Sequence, residues 1–247
     1  MSNTINIMRH ESIFTPSEYP YPIHIIGVGA TGSRVFASLI ELGMTNLHIY
    51  DPDVVESHNL ANQIYTTDDV GKPKVHGCYE FARRKLGIDP AQHISTYETA
   101  ITTARINSSN ILCGGIVFLM TDTMESRRNI FRALINRYNI NQQAYLAPLA
   151  IIETRMASTH GSVFLINPFD TFMCSQWEST LVKDENVDSI EQSPCGTSIS
   201  VGATAALIAN YAVWQMINCL TNPIGVQPRI DLFFKPVFTA TPNAIAA

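Results

Sequence analysis

The chain has 247 residues, 46% hydrophobic and only 15% charged, which is enough for one substantial core and too apolar for intrinsic disorder. Its net charge of −5 offers no basic field to nucleic acid, so a nucleic-acid partner is not expected. The five cysteines (Cys78, Cys113, Cys174, Cys195, Cys219) are widely spaced and form no Cys-x-x-Cys pair, which suggests neither a zinc site nor a disulfide framework.

In chain order, residues 1–22 read as an irregular arm, because Pro16, Pro20 and Pro22 forbid a regular element. The start of the chain, MSNTINIMRHESIF, has no apolar signal core, and a cytoplasmic location is expected. Residues 23–27 (IHIIG) form a short apolar run, predicting a buried strand. A glycine turn follows, then 33–42 with Val35, Phe36, Leu39 and Ile40 at helical spacing and Gly43 where a helix C-terminal glycine belongs. Residues 47–50 predict a second strand, 74–85 a helix, 93–99 a strand, 116–120 another buried strand, and 124–138 a helix. This alternation predicts an α/β fold with a Rossmann-like, doubly wound, mainly parallel sheet.

The second half is expected to be less regular. Residues 144–151, 154–158 and 161–166 read as strands broken by turns, and 178–198 as a polar loop without periodicity. The apolar stretch 199–220 contains Asn210, Gln215 and Asn218, which favours a buried core helix over a membrane span. Residues 230–238 predict a last strand. The expected organisation is one domain over 1–247: the arm 1–22, a nucleotide-binding half 23–150, and a second half 151–247 carrying the 178–198 loop.

Gly27-Val28-Gly29-Ala30-Thr31-Gly32 fits G-x-G-x-x-G between a strand and a helix. The first glycine permits the tight turn, the second lets phosphate approach the backbone, and the third lets helix pack on strand. The free N–H groups and positive dipole end of the following helix favour phosphate. Asp51 follows Gly32 by 19 residues at a strand end, where a carboxylate can accept from ribose hydroxyls. These features alone do not separate a nicotinamide-dependent oxidoreductase from an ATP-using enzyme.

From Asp51 the chain reads DPDVVESHNLANQIYTTDDVGKPKV. This resembles the activating-enzyme family of ThiF and MoeB, which includes the ubiquitin-activating enzymes. The shared pattern is a strand-end Asp, then D-x-V-x-x-x-N-L-x-R-Q, then a short acidic stretch and G-x-x-K. Asp53, Asn59, Leu60, Gln63, Gly71 and Lys74 stand at its positions, and Thr121-Asp122 with Arg127 is similar to the family's T-D-N-x-x-x-R, with Thr123 in place of Asn.

The resemblance implies ATP-dependent adenylation of the C-terminal carboxylate of a small ubiquitin-like or sulfur-carrier protein. Gly27, Gly29 and Gly32 would face the phosphates, Asp51 and Asp53 would lie at the nucleotide, and Asn59 and Gln63 would position phosphates or water. Lys74 would offset the growing triphosphate charge, and Asp122 would hold Mg²⁺ through the phosphates. Taken singly, Lys74 also reads as a solvated helix-start lysine, Asp122 as a helix N-cap and Asn59 as a turn residue.

Asn62 departs from the pattern, standing where ATP-using members carry an arginine that contacts the triphosphate. It cannot supply that charge or bidentate fork, and Arg34 or Arg9 would have to compensate. An inactive adapter with the same fold is the main alternative. Cys195 lies in the place of the family's crossover loop, where a cysteine often accepts the activated acyl group as a thioester; as a small residue at a helix start it has an ordinary reading too. Cys174 matches the first zinc cysteine of the bacterial members, but its partners are missing and no zinc is expected. A homodimer is implied by the resemblance.

Overall fold

Short β-branched and apolar runs build the centre of the molecule. The computed structural model describes residues 5–141, 143–181 and 199–241. Strands β1 (Ile23–Ile26), β2 (Leu47–Tyr50), β3 (Ile94–Tyr97) and β4 (Ile116–Leu119) are four residues each, and β1 and β4 are buried throughout. Burial on both faces is what a parallel sheet covered by helices on each side requires. With β5 (Ala150–Met156), β6 (His160–Ile166), β7 (Arg229–Phe234) and β8 (Val237–Ala240) they form one eight-stranded sheet in the order β3-β2-β1-β4-β5-β6-β7-β8. The β3-to-β5 portion is parallel and β5 through β8 is antiparallel.

Helices cover both faces, so the sheet is doubly wound. On one face α1 (Ala30–Leu42), α2 (Lys74–Leu86) and α6 (Gly202–Thr221) pack Phe36, Leu39, Cys78, Ile208 and Met216 against Ile25, Ile49 and Phe118. On the other, α3 (Thr103–Ser108), α4 (Met124–Asn141) and α5 (Thr171–Ser179) pack Ile106, Phe131, Leu134 and Trp177 against Ile26, Val117 and Leu119. The α6 stretch is thus a core helix, and among the described residues no helix is long and apolar enough to cross a membrane.

Several expected bounds change. Residues 144–151 do not form a strand: Ala144–Leu146 is a 3-10 turn and β5 begins at Ala150. The predicted break before 154 is absent, because β5 runs on to Met156 and pairs antiparallel with β6 over six residues. Residues 230–238 fold as the β7–β8 hairpin instead of one strand. The arm is anchored, with Phe14 buried in the core and stacked on Tyr19 at 5.0 Å. Both α3 and α5 lacked a sequence expectation; each starts at a side-chain cap, Thr102 and Asp170 respectively.

The order reverses at β1, whose neighbours are β2 on one side and β4 on the other. The chain winds outward through β2 and β3 and then returns across β1 to β4. That switch opens a crevice beyond the carboxyl ends of β1 and β4, where open α/β sheets take their ligands.

Candidate functional site

The glycine turn stands over this crevice, and two of its glycines are obligatory. Gly27 adopts φ 89°, and a Cβ there would lie 2.7 Å from the Met120 carbonyl oxygen at the end of β4. A Cβ on Gly32 would fall 1.9 Å from the Gly27 carbonyl oxygen, so the third glycine closes α1 onto the strand end. Gly29 differs, since a Cβ there would meet nothing within 4 Å. Its open face is the side from which phosphate can approach the backbone.

The Val28 peptide inside the turn is clamped at both ends. Its N–H donates to Asp51 Oδ2 at 2.7 Å, and its carbonyl accepts from Tyr65 Oη at 2.7 Å. Tyr65 was not anticipated from the sequence. It packs over Gly77 of α2, where a Cβ would lie 2.6 Å from the ring. Asp51 Oδ1 accepts the Asp53 N–H at 2.8 Å. Burial pushes the Asp51 pKa up, opposed by the bonds from Val28 and Asp53 and by the charge of Lys74. A carboxylate has about four lone-pair sites, so two backbone bonds leave room for a ligand hydroxyl.

A small ladder brings Lys74 to this place. Val55 N–H donates to Lys72 O at 2.8 Å, Gly71 N–H to Val55 O at 2.8 Å, and Lys74 N–H to Asp53 O at 2.9 Å. Lys74 therefore opens α2 beside Asp53, its Nζ 2.8 Å from Asp53 Oδ2. The ammonium is buried while the Asp53 carboxylate is mostly exposed. Lys74 is not the solvated helix-start lysine that its position alone allows.

The Asn59 segment serves the loop first. Asn59 is buried and its Oδ1 accepts the Glu56 N–H at 2.9 Å, completing a capping box over the 3-10 turn Ser57–Ala61. Asn62 and Gln63 behave otherwise. Asn62 Oδ1 and Gln63 Oε1 are buried acceptors with no hydrogen-bond partner among the described residues. Such orphan groups are rare where no ligand or water is to be received.

Across the crevice, Asp122 lies three residues beyond the end of β4 and is exposed. The N-cap of α4 is made by Thr123, whose Oγ1 accepts the Ser126 N–H at 3.1 Å, so the capping reading of Asp122 does not apply. The Thr121 carbonyl is fixed by Arg127, which also donates to Glu153 and to the Thr154 carbonyl. Glu153 is fully buried and further accepts from Arg155 Nε at 3.1 Å and Trp177 Nε1 at 3.1 Å. This hub, unseen in the sequence reading, joins α4, β5 and α5 beneath Asp122. Its one local signal was a carboxylate ending the apolar run Ala150-Ile151-Ile152.

Cys195 and most of the 178–198 loop lie outside the described residues. Cys174 is buried in α5, donates to Asn167 O at 3.5 Å, and has its pKa pushed up to about 11, chiefly by burial. Among the described residues no group of three or more His, Cys, Asp or Glu could hold a metal ion. A lone carboxylate such as Asp122 still suits Mg²⁺, which keeps most of its shell as water and phosphate oxygens.

The model of the ThiF family matches residues 21–234, from just before β1 to the end of β7. The chain belongs to the ThiF family. Among curated relatives, ubiquitin-like modifier-activating enzyme 5 of Drosophila grimshawi is 29% identical over 240 residues, covering 90% of this chain and 56% of the relative. The chain thus spans a little over half the length of that relative. Among solved structures, E. coli MccB with AMPCPP and MccA superimposes with a TM-score of 0.67 at 13% identity, over 100% of this chain and 75% of that one. E. coli MccB with ATP gives a TM-score of 0.62 at 16% identity, over 90% and 63%. These likenesses are of fold, and they match the doubly wound sheet described above.

Proposed function

We propose that this ThiF-family chain uses Mg-ATP to adenylate the C-terminal carboxylate of a small ubiquitin-like or sulfur-carrier protein. The observation that carries the reading is the pairing of Lys74 with Asp53 on one side of the glycine turn and the uncommitted Asp122 on the other. A dinucleotide needs only the turn and a carboxylate for the ribose. A triphosphate that loses pyrophosphate also needs a cation and a hard oxygen donor beside it. The names of the relatives, an activating enzyme and a protein crystallised with ATP, support the same chemistry.

In this reaction the carrier carboxylate oxygen attacks the α-phosphorus of ATP, the bond to the bridging oxygen breaks, and pyrophosphate leaves. Asp51 holds the Val28 amide and accepts from the ribose, while Lys74 turns from Asp53 toward the triphosphate. Asp122 holds Mg²⁺, which neutralises phosphate charge when bound. Asn59, Asn62 and Gln63 face the nucleotide from the loop after β2. Cys195 would then attack the acyl adenylate as a thiolate, forming a thioester and releasing AMP.

Two further properties belong to this proposal. The chain works as a homodimer, supported by Leu207 and Trp214, large apolar side chains exposed on α6. It works in the cytosol, supported by Cys78, Cys113, Cys174 and Cys219, all free thiols.

The test is ATP–pyrophosphate exchange with small carrier proteins ending in glycine. Carrier-dependent exchange is expected; its absence with every carrier tried, alongside normal ATP binding, would favour the adapter that Asn62 suggests. Asp122→Asn should leave unfolding free energy within about 0.5 kcal/mol of the original, because no other group among the described residues uses this exposed carboxylate. The same variant should need more Mg²⁺ for half-maximal exchange. An unchanged Mg²⁺ dependence would remove Asp122 from the metal site.

A further inference from the structure

Apart from Arg34 and the Arg127–Glu153–Arg155 hub, whose arginines share the Glu153 carboxylate, the residues placed at the nucleotide bring three carboxylates, Asp51, Asp53 and Asp122, against one ammonium, Lys74, already paired with Asp53. That balance is poor for a ligand carrying a triphosphate. Arg34, the fifth residue of α1, is the cation nearest the glycine turn in sequence.

Its side chain is half-buried, and Nε donates to the Asn62 carbonyl at 3.1 Å. Among the described residues no carboxylate pairs with it. The guanidinium also lies against the first residue of α6: a Cβ on Gly202 would sit 3.2 Å from Arg34 Nη2, 3.4 Å from Asn62 Cα and 2.8 Å from the Ala61 carbonyl oxygen. Gly202 is thus the small residue that lets α6 close on the Ala61 carbonyl with the guanidinium beside it.

The electrostatics at this point are one-sided. Helix α6 begins here with no side-chain cap at Val201 and no acidic residue in its first turn, and α1 has no acidic residue in its first turn either. The N-terminus of α6 and the Arg34 guanidinium therefore meet with no carboxylate between them among the described residues, although each would be stabilised by an anion. The orphan Asn62 Oδ1 and Gln63 Oε1 lie on the same loop. Amide oxygen and nitrogen are interchangeable by a flip, so each is equally a place for a donor to a ligand oxygen.

We propose that Arg34, anchored through Nε on the Asn62 carbonyl and backed by the N-terminus of α6, binds the β- and γ-phosphates of the nucleoside triphosphate. Anchoring by Nε leaves both Nη groups to face the ligand as a fork. The charge missing from the side chain of residue 62 is supplied one layer away, and that residue's backbone aims it. This assignment rests on the adenylation reading.

The experiment is calorimetric titration of the full chain with Mg-ATP, inorganic pyrophosphate and AMP, before and after Arg34→Met, which keeps the apolar stem. ATP and pyrophosphate should bind about tenfold to a hundredfold more weakly, the usual effect of losing charge-assisted bonds, and AMP should change less than about twofold. If R34M does not fold, R34K replaces it; it keeps the charge but not the fork, and the same split between pyrophosphate and AMP is expected. Equal losses for AMP and ATP, or no loss for pyrophosphate, overturn the role of Arg34 and leave adenylation standing. Failure of the unmodified chain to bind ATP overturns the adenylation reading itself.

Discussion

Replacing Glu153 by alanine is expected to destabilise the fold by about 3–5 kcal/mol, the usual cost of stranding a buried charge by removing its partner. The side chain is fully buried, and Arg127, Arg155 and the Trp177 indole all donate to it. Arg127 keeps the Thr121 and Thr154 carbonyls, and Arg155 keeps Thr180, the charge of Asp231 and the face of Phe164, whose centroid is 4.4 Å from the guanidinium carbon, but both lose their hydrogen-bonded carboxylate. For a domain of this size, 1 kcal/mol corresponds to roughly 2–4 °C, so the midpoint should fall by about 6–20 °C. Denaturant unfolding followed by tryptophan fluorescence measures both the loss and the altered setting of Trp177. A change below about 1 kcal/mol would mean that the two arginines find other partners.

The consequence reaches the site. Arg127 ties the carbonyl of Thr121, the residue before Asp122, to the hub. Loosening Glu153 should therefore also raise the Mg²⁺ concentration needed for exchange, even at a temperature where the variant is folded.

Lys74→Ala should act in the opposite pattern, with little effect on stability and a large one on chemistry. The ammonium pairs with Asp53, whose carboxylate is mostly exposed, and a pair of that kind contributes at most about 1 kcal/mol. A charge aimed at the leaving pyrophosphate, by contrast, is worth roughly a hundredfold to a thousandfold in rate. Carrier-dependent ATP–pyrophosphate exchange should fall by that factor while the unfolding midpoint moves by only a few degrees. An unchanged exchange rate would show that Lys74 merely stabilises the Asp53 ladder.

The legible parts of the molecule were those encoded locally. Short apolar runs marked β1, β2 and β4, Gly43 marked the end of α1, and the Gly27–Gly32 spacing marked the tight turn between β1 and α1. The linked residues Asp51, Asp53 and Lys74 do come together, because the Val55–Gly71 and Asp53–Lys74 backbone bonds fold that segment back on itself. Interactions joining distant segments were invisible. Glu153 carried no expectation, because its partners Arg127 and Trp177 reach it from α4 and α5. Tyr65 gave no sign that it would hold Val28, 37 residues away. The antiparallel strands were misjudged for a different reason. Glu153 interrupts the apolar run between the two expected strands 144–151 and 154–158, yet pairing with β6 carries β5 straight through it.

The most direct test of the central claim, that the Val28 turn faces the phosphates of ATP, is side-by-side titration of the full chain with Mg-ATP and NADH. The geometry predicts a single Mg-ATP site, lost or weakened severalfold in Lys74→Ala, and no binding of NADH. Binding of NADH without ATP, or equal affinity for ATP in the Lys74 variant, would contradict it.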